Sequence, residues 1–424
     1  MQSSRRLFLR GLASVAGAAS AQTAQAQHAH PGPPPQKASV QPAGPAPRVA
    51  PHQLGAEVVP VVSPDIPDMP WRLENGAKVF DIRVEHVRTA LIHGRVMDGW
   101  GFNGSIPGPT IQVIEGDRVR LNVENRLPEP FSMHWHGLEI PNEMDGMPGI
   151  SQDAIPPGGR FVYEFTLKQN GTFFYHSHMA MQEMMGLIGL FIIHPRRAHT
   201  PRVDRDFGII LQEWALLPNN TIPNSLAMEF NWLTLNGKAG PATTPLIVKI
   251  GERVRIRLVN LGMDHHPMHI HGHQFYVTGT EGGRIRTTAV IPENTVLVGV
   301  AQARDIEFVA DNPGDWHFHC HLPHHMMNQM ASMVGPLMMS HANAPRPAQA
   351  GPAAAPNAGM FPGYPQDMFM VMDDMVAKPE TYGLRPGWSG GTMGMMTIVR
   401  VLNPELFEKI QELKAEQARK ADAR

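Results

Sequence analysis

Four pairs of histidines, each pair separated by one residue, are the residues of this chain best suited to chemistry. They are His134 and His136, His176 and His178, His269 and His271, and His319 and His321. On a β-strand, residues i and i+2 point to the same side, about 6.5–7 Å apart. Each pair therefore presents two imidazoles to one place, at a spacing that suits neighbouring metal ions better than a single ion.

The only cysteine of the chain lies inside the last of these pairs. Cys320 stands between two paired histidines, so on a strand its sulfur points to the opposite face. One thiolate, two imidazoles and a weak axial thioether form the ligand set of a blue copper centre. The residues that match this set are His266, Cys320, His325 and Met330. The peptide bonds on either side of Cys320 would then connect this centre to the histidine pair.

A single histidine in a β-domain is more often a structural residue than a ligand, and one pair could arise by chance. Four pairs, repeated along the chain with the only cysteine inside the last, make chance a poor explanation. The other histidines, such as His86, His93, His265, His273 and His324, are expected to be structural.

These motifs resemble the four copper motifs of the multicopper oxidases, which include laccases and cuprous oxidases. His-Trp-His-Gly, His-Ser-His, His-Pro-Met-His-Ile-His-Gly and residues 319–330 carry the resemblance, which covers about residues 79–340. It implies four copper ions per subunit: one type 1, one type 2 and two type 3. The implied type 2 ligands are His134 and His269. The implied type 3 ligands are His136, His176 and His321 for one ion and His178, His271 and His319 for the other.

The resemblance also implies an activity. A reductant would lose one electron at a time near His325, which is expected to be the blue-copper ligand nearest the surface. Dioxygen would be reduced to water by four electrons at the three-copper cluster. Asp145 matches an acid that family members carry after the first motif and would deliver protons. As a bare sequence feature, Asp145 could equally be a turn residue before Gly146. Some relatives have a second acid where this chain has Met326.

Alternation of apolar and polar residues, as in Phe80, Ile82 and Val84, predicts half-buried antiparallel strands. The segment 111–121 recurs at 247–256, and the histidine motifs recur with it. A repeat of this length predicts two copies of one β-domain, at residues 75–198 and 203–342. Short strands between Gly/Pro turns favour sandwiches, so the predicted fold is all-β, with two cupredoxin-like Greek-key domains.

The spacing of the motifs leaves no room for the middle domain of a usual three-domain laccase. Opposite the four blue-copper positions, the first domain has Phe131, Ser177, Gln182 and Leu187. The first three of these could not form a copper centre. The chain therefore resembles the two-domain multicopper oxidases with type 1 copper in the second domain. In those relatives the cluster lies at subunit interfaces of a homotrimer, a closed ring of heterologous contacts, and the trimer is implied by the resemblance alone.

The two ends of the chain differ from the repeat. A Ser-Arg-Arg-Leu-Phe-Leu-Arg string at residues 4–10 and an Ala-Gln-Ala site at 24–26 predict a twin-arginine signal peptide over residues 1–26. The chain is thus expected to be periplasmic or secreted. Residues 27–74 are predicted as a Pro-rich linker. Residues 343–424 are predicted as a Pro/Ala linker and a Met/Gly-rich C-terminal extension, which ends in a short helix from Pro404.

The reductant is left open between a phenol and Cu(I). Just over half of the 27 methionines lie from Met326 onward. Thioethers select Cu(I), so this tail could bring cuprous ions to the blue copper, although methionine also fills gaps in irregular packing.

Two alternatives come from other classes. A two-domain copper nitrite reductase needs only three histidines at its catalytic copper and has its blue copper in the first domain. A non-catalytic periplasmic copper-binding or copper-resistance protein would explain the methionines but not Cys320. The net charge of −2 indicates neither a nucleic-acid nor a membrane partner.

Overall fold

The alternating segments of the first repeat form strands, as predicted. The computed structural model describes residues 54, 58–217, 220–327 and 371–422. Strands β1 to β10 are Val61–Val62, Arg72–Glu74, Ala77–Ile92, Arg95–Phe102, Gly108–Ile114, Arg118–Asn125, Met133–His136, Arg160–Thr166, Gly171–Ser177 and Ile188–His194.

Strands β2 to β10 build the first sandwich. One sheet has the order β5-β10-β9-β7, and the other has the order β2-β3-β6-β8 with β4 paired to β3. Alternate residues of β6, such as Val119, Leu121 and Val123, point into a shared core that includes Phe80 and Trp135. The histidine-bearing strands β7 and β9 are neighbours, so their side chains on one face meet.

The second sandwich repeats this plan. Strands β11 to β22 are Arg205–Trp214, Trp232–Leu235, Leu246–Lys249, Arg253–Asn260, His266–Ile270, Phe275–Thr280, Gly283–Arg284, Ile291–Glu293, Thr295–Val298, Gln302–Val309, Gly314–Cys320 and Met396–Leu402. One sheet has the order β13-β22-β21-β15-β19. The other has the order β1-β11-β14-β20-β16-β17, with β12 paired to β11 and β18 to β16.

Equivalent asparagines show how closely the two sandwiches match. Asn125 ends β6, and its Nδ2 donates to the backbone oxygen of Ile155 at 2.9 Å. Asn260 ends β14, and its Nδ2 donates to the backbone oxygen of Val298 at 3.0 Å. The all-β fold of two cupredoxin-like sandwiches, which the repeat predicts, is confirmed.

The strand β22 corrects the predicted end of the second domain at residue 342. It pairs in parallel with β13 and antiparallel with β21, with Met396 opposite His319. Residues 396–402 are therefore a central strand of the second sandwich and not part of a C-terminal extension. The prediction was wrong because a long Pro-, Ala- and Met-rich segment separates this strand from the rest of its sheet.

The linker predicted over residues 27–74 is also too long. Val61 lies in β1, which pairs with β11 of the second sandwich, and Ile66 and Met69 are fully buried. The predicted signal peptide over residues 1–26 and the Pro/Ala segment 343–358 lie outside the described residues.

The predicted C-terminal helix is present as α1, Pro404–Asp422. Its Phe407 and Ile410 pack on Ile247 and Leu402. Short 3-10 helices cover Asn142–Met144, Glu183–Met185, Thr287–Ala289, Pro323–Met326, Asp373–Met375, Pro379–Thr381 and Trp388–Gly391. Within the described ranges, no helix combines the length and apolar character that crossing a bilayer would need.

Buried polar side chains join the two sandwiches beside β9. Thr172, near the start of β9, donates through its hydroxyl to Asp305 Oδ1 at 2.6 Å. It accepts from Arg257 Nη1 at 2.7 Å, and the same guanidinium makes two 2.8 Å hydrogen bonds to Asp206. A buried charge that is fully paired holds its neighbours in one geometry. The network therefore fixes β9, which carries His176, against the second sandwich.

Candidate metal centres

Three side chains meet inside the second sandwich. His266 begins β15, Cys320 ends β21, and His325 lies on the 3-10 helix Pro323–Met326; they are 0%, 0% and 1% exposed. The Cys320 Sγ atom lies 3.4 Å from His325 Nδ1 and 3.8 Å from His266 Nδ1, and the two nitrogens are 3.2 Å apart. Three of the four predicted type 1 ligands therefore converge. The fourth, Met330, lies outside the described residues.

Two carboxylates orient the imidazoles of this trio. His266 Nε2 donates to Glu213 Oε2 at 3.1 Å, and His325 Nε2 lies 3.5 Å from Asp264 Oδ2. Because a carboxylate accepts hydrogen bonds, the proton of each ring sits on Nε2, and the Nδ1 lone pairs turn toward Cys320. Two such lone pairs at short distance repel each other unless a cation lies between them. The donor set thus fits a metal ion.

The thiol of Cys320 fits the same conclusion. Burial raises its pKa to about 12, and the negative charges of Glu213 and Asp264 raise it further. Without a metal the sulfur is therefore a neutral thiol at neutral pH. A coordinated soft cation removes that proton, because the thiolate is the ligand form.

The first sandwich carries four histidines in one tetrad. His134 and His136 lie on β7, His176 lies on β9, and His178 follows β9 directly. The ring of His134 is 5.7 Å from that of His136 and 5.3 Å from those of His176 and His178. Both predicted pairs of the first domain therefore face one place, which we call the first tetrad.

The second sandwich carries the equivalent second tetrad. The ring of His269 lies 5.0, 5.6 and 5.4 Å from those of His271, His319 and His321. His271 Nε2 and His319 Nε2 are 3.0 Å apart. A depression of about 440 Å³ opens beside His269 and His271.

Backbone carbonyls hold both tetrads in the same way. The Nδ1 donors and their acceptors are His134 to Asp145 O at 2.8 Å, His269 to Asn294 O at 2.7 Å, His176 to Ser177 O at 2.8 Å, and His319 to Cys320 O at 2.8 Å. A carbonyl oxygen only accepts, so each Nδ1 carries the proton and each Nε2 is left as a potential metal ligand.

The imidazoles are also in the protonation state that a metal requires. Burial lowers the pKa of His136 to about 4, with a smaller contribution from neighbouring His176. Burial likewise lowers the pKa of His319 to about 4. Both rings are neutral at pH 7, and metal ligation needs the neutral ring.

The two tetrads do not meet within the chain. Among the described residues, no ring contact or hydrogen bond joins a histidine of one tetrad to a histidine of the other. His178, His271 and His321 are exposed. Each tetrad thus offers half of the eight predicted imidazoles and is open to solvent.

Asp145 lies beside the first tetrad. Its Oδ1 is 3.6 Å from His134 Nδ1, and its side chain is 39% exposed. It follows a 3-10 turn and precedes Gly146, which has a φ of 83°. A Cβ atom at Gly146 would collide with the backbone oxygen of Met133. Asp145 is therefore both a turn residue and a neighbour of a predicted ligand.

Three acids near the sites were not predicted from sequence. They are Glu213, Asp264 and Glu183, whose Oε1 lies 3.0 Å from His176 Nδ1. Glu213 follows the apolar run Ile209–Leu211 and Gln212 of strand β11 and is buried there, and a buried carboxylate needs a partner. The expectation that His325 lies near the surface is wrong, since its side chain is buried.

Comparisons with known proteins agree with this geometry. Family models described as "Multicopper oxidase" match residues 84–198 and 216–335. The crystal structure of the blue copper oxidase from Nitrosomonas europaea is 33% identical, with a TM-score of 0.55, over 59% of this chain and 81% of that one. The chain belongs to the multicopper oxidase family. Membership implies that the protein binds copper.

Curated relatives match over shorter stretches of the chain. The copper resistance protein A homolog of Pseudomonas syringae pv. tomato is 40% identical over 136 residues, which are 32% of this chain and 23% of that protein. Laccase-1 of Botryotinia fuckeliana is 34% identical over 226 residues, which are 50% of this chain and 39% of that protein. The chain spans between about a fifth and about a half of the length of the curated relatives it matches.

Proposed function

We propose that this chain is a copper oxidase that takes electrons from a reductant at a type 1 centre and reduces dioxygen to water at a three-copper cluster. The observation that carries the proposal is the position of Cys320, buried with His266 and His325 and bonded directly to two histidines of the second tetrad. Copper bound at these residues would supply one-electron chemistry, so that four electrons and four protons convert one dioxygen into two waters.

The residues of the chain have separate tasks in this proposal. Glu213 and Asp264 orient the two imidazoles of the type 1 centre. Asp264 is 41% exposed while His325 is buried, so a reductant would approach at Asp264. Asp145, whose carboxylate lies beside His134, would pass protons to the cluster.

The proposed copper ligands follow the family motifs. Type 1 copper would bind His266, Cys320 and His325, and type 2 copper would bind His134 and His269. One type 3 copper would bind His136, His176 and His321, and the other would bind His178, His271 and His319.

A homotrimer would bring the tetrads together. Each tetrad is open and incomplete within one chain, and a head-to-tail contact between first and second sandwiches would complete the cluster at each subunit interface. Such a heterologous contact closes into a ring when the rotation allows it. The proposal needs three clusters per trimer, one at each interface.

Mixing two inactive variants tests this assembly. His136→Ala damages only the first tetrad, and His319→Ala damages only the second. In randomly mixed trimers, about a quarter of the clusters would be intact. An intact cluster needs the first tetrad of a His319→Ala chain next to the second tetrad of a His136→Ala chain. Recovery of oxygen uptake on co-expression is the expected result. Mixed oligomers that form but show no recovery would mean that the cluster is built within one chain.

Methionines near the type 1 centre favour Cu(I) over a phenol as the reductant. Met181, Met184 and Met263 pack in one small apolar cluster, and the backbone N–H of Met263 donates to Glu213, the partner of His266. Soft thioethers hold Cu(I) in preference to harder ions. In the C-terminal region, Met372 is buried in a core cluster and Met375 is exposed. Met368 and Met370 lie outside the described residues.

Oxygen uptake with Cu(I) and with a phenol, side by side, separates the two reductants. Cutting the tail at residue 358 is unsuitable, because it would remove the core strand β22. The double variant Met181→Leu/Met263→Leu is expected to raise the KM for Cu(I) and to leave phenol oxidation unchanged. Met372→Leu, which changes a core methionine, is the matched control. Unchanged Cu(I) kinetics in the double variant would favour the phenolic reductant.

Counting copper separates the oxidase from the two alternatives. We expect about four ions per chain for an oxidase and about two for a nitrite reductase. The hydrogen-bonded Ser177 and Gln182 in the first sandwich argue against a blue centre there, where the reductase has it. A copper-loaded protein that is colourless would favour a non-catalytic copper-binding protein. The periplasmic or secreted location and the twin-arginine route remain predictions.

A further inference from the structure

We propose that Met395 supplies the weak thioether ligand of the type 1 centre. The proposal rests on the proposed function, since it needs copper at His266, Cys320 and His325. Sequence spacing assigned this role to Met330, which lies five residues after His325 along the chain. The fold brings a different methionine to the site, from the far side of the long segment before β22.

The register of the last strand in each sandwich is the first observation. In the first sandwich, Ile188 of β10 lies opposite His176 of β9. In the second, Met396 of β22 lies opposite His319 of β21. His176 and His319 are equivalent in the repeat, so the two registers are the same. The residues just before β10 and β22, Leu187 and Met395, therefore occupy equivalent places.

The backbone of Met395 contacts two of the three type 1 ligands. The N–H of Cys320 donates to the Met395 oxygen at 3.0 Å, and the N–H of Met395 donates to the His325 oxygen at 2.9 Å. Met395 is fully buried and belongs to the same core cluster as Cys320. Gly394 has a φ of 61°, and a Cβ atom there would collide with the His325 oxygen. The glycine thus permits this close approach.

The first sandwich has the same hydrogen bonds around Leu187. The N–H of Ser177 donates to the Leu187 oxygen at 3.2 Å, and the N–H of Leu187 lies 3.5 Å from the Gln182 oxygen. The main chain therefore presents residue 187 and Met395 to equivalent pockets.

The side chains at these equivalent places change together. Phe131, Ser177, Gln182 and Leu187 of the first sandwich correspond to His266, Cys320, His325 and Met395 of the second. Leucine would fill such an apolar place equally well, as it does in the first sandwich. What methionine adds is a soft sulfur, and a long, weak thioether bond is the fourth interaction of a blue copper centre.

Replacing Met395 in the copper-loaded protein tests the proposal by spectroscopy and potentiometry. Met395→Leu is expected to raise the reduction potential of the type 1 copper, because loss of a donor destabilises Cu(II), and to alter its electron paramagnetic resonance spectrum. Met395→Gln is expected to lower the potential, since an amide oxygen binds Cu(II) more strongly than a thioether. The thiolate-to-copper absorption should persist in both variants.

Met396→Leu and Met330→Leu are the matched controls and should leave potential and spectrum unchanged. Leucine at the equivalent position 187 indicates that the fold tolerates Met395→Leu. Met395→Gln is a second, independent measurement of the effect of this residue on the reduction potential. A shift in Met330→Leu without one in Met395→Leu would overturn the proposal, as would no shift in either Met395 variant. Either of these results would exclude Met395 as a ligand without contradicting the proposed function. A copper-loaded wild-type protein without blue absorption would contradict the proposed function itself.

Discussion

The ends of β9 and β21 occupy equivalent places in the two sandwiches but hold different chemistry. In the first, the Ser177 hydroxyl donates to Gln182 Oε1 at 2.7 Å, and Gln182 Nε2 donates to the backbone oxygen of Pro130 at 3.0 Å. In the second, the Cys320 sulfur faces two imidazole nitrogens. The strands, registers and backbone hydrogen bonds are shared, and a few side chains decide whether the donor set suits a metal ion.

The two places also differ in how they are satisfied without a metal. The buried polar atoms of Ser177 and Gln182 are paired with each other and with backbone, which is the usual condition inside a protein. The facing nitrogens of His266 and His325 have no proton to share once their Nε2 atoms bind carboxylates. The site around Cys320 therefore fits a metal ion, whereas the equivalent site around Ser177 is satisfied without one.

The largest expected effect comes from giving the site around Cys320 the serine that the first sandwich has at the equivalent position. Cys320→Ser removes the thiolate, so the intense thiolate-to-copper absorption should vanish. Oxygen uptake should fall by more than the roughly 10–100-fold that loss of an outer partner causes. Absorption spectra and oxygen consumption measure the two effects. Ser177→Ala is the control, and persistent blue colour in Cys320→Ser would contradict the assignment of the thiolate.

Removing a supporting carboxylate should have a smaller effect. Glu213→Gln keeps the size of the side chain but weakens its hold on His266. We expect type 1 copper affinity to fall roughly 10–100-fold and the free energy of unfolding to fall by about 1–3 kcal/mol. Copper titration and denaturant unfolding measure these changes. Gln212→Glu, at the neighbouring position, serves as a control for charge in the strand, and normal copper affinity in Glu213→Gln would exclude an orienting role.

Acid should destabilise the copper-free protein through both tetrads. The folded-state pKa values of His136 and His319 are about 4, below the ordinary value of 6.5. Between these values the unfolded chain binds protons that the folded chain does not, so the free energy of unfolding falls as pH falls from about 6.5 to about 4. Urea unfolding at several pH values measures this slope. Copper-free His319→Gln should show a shallower slope, and an unchanged slope would assign the effect to other groups.

The smallest expected effect comes from the reverse substitution in the first sandwich. Ser177→Cys alone should give no second blue centre, because Phe131 and Gln182 still occupy the positions of the two imidazoles. Absorption spectra and the copper count should match those of the wild type. Changing all four first-sandwich positions to the second-sandwich residues should add one copper. A blue centre in Ser177→Cys would show that a thiol at this position is enough to create a copper site without the two imidazoles.

Local patterns of the sequence were enough to find most of the site. Residues two apart on a strand share a face, so His134 and His136 could be paired without knowing the fold, as could His319 and His321. The cysteine inside the last pair then pointed to the trio that the structure brings together. Each of these groupings depends on a few neighbouring residues, and the role of the residues as copper ligands remains a prediction.

The features that were missed depend on contacts between distant parts of the chain. Glu213 reaches His266 from another strand, and Met395 reaches Cys320 only through the pairing of β21 with β22. The burial of His325 likewise depends on its surroundings in three dimensions. Spacing along the chain carries no information on such contacts, so the motif alone placed the thioether ligand at Met330.

The late position of β22 has a consequence for the order in which the protein is built. A chain emerging from the ribosome folds domain by domain from its N-terminus, and the first sandwich lacks no strand once residue 194 is made. The second sandwich keeps a gap between β13 and β21 until residue 402 appears. Until then both flanking strands expose unpaired edges, which favour aggregation. The chain must therefore be synthesised as far as residue 402 before the site around Cys320 can close on a metal.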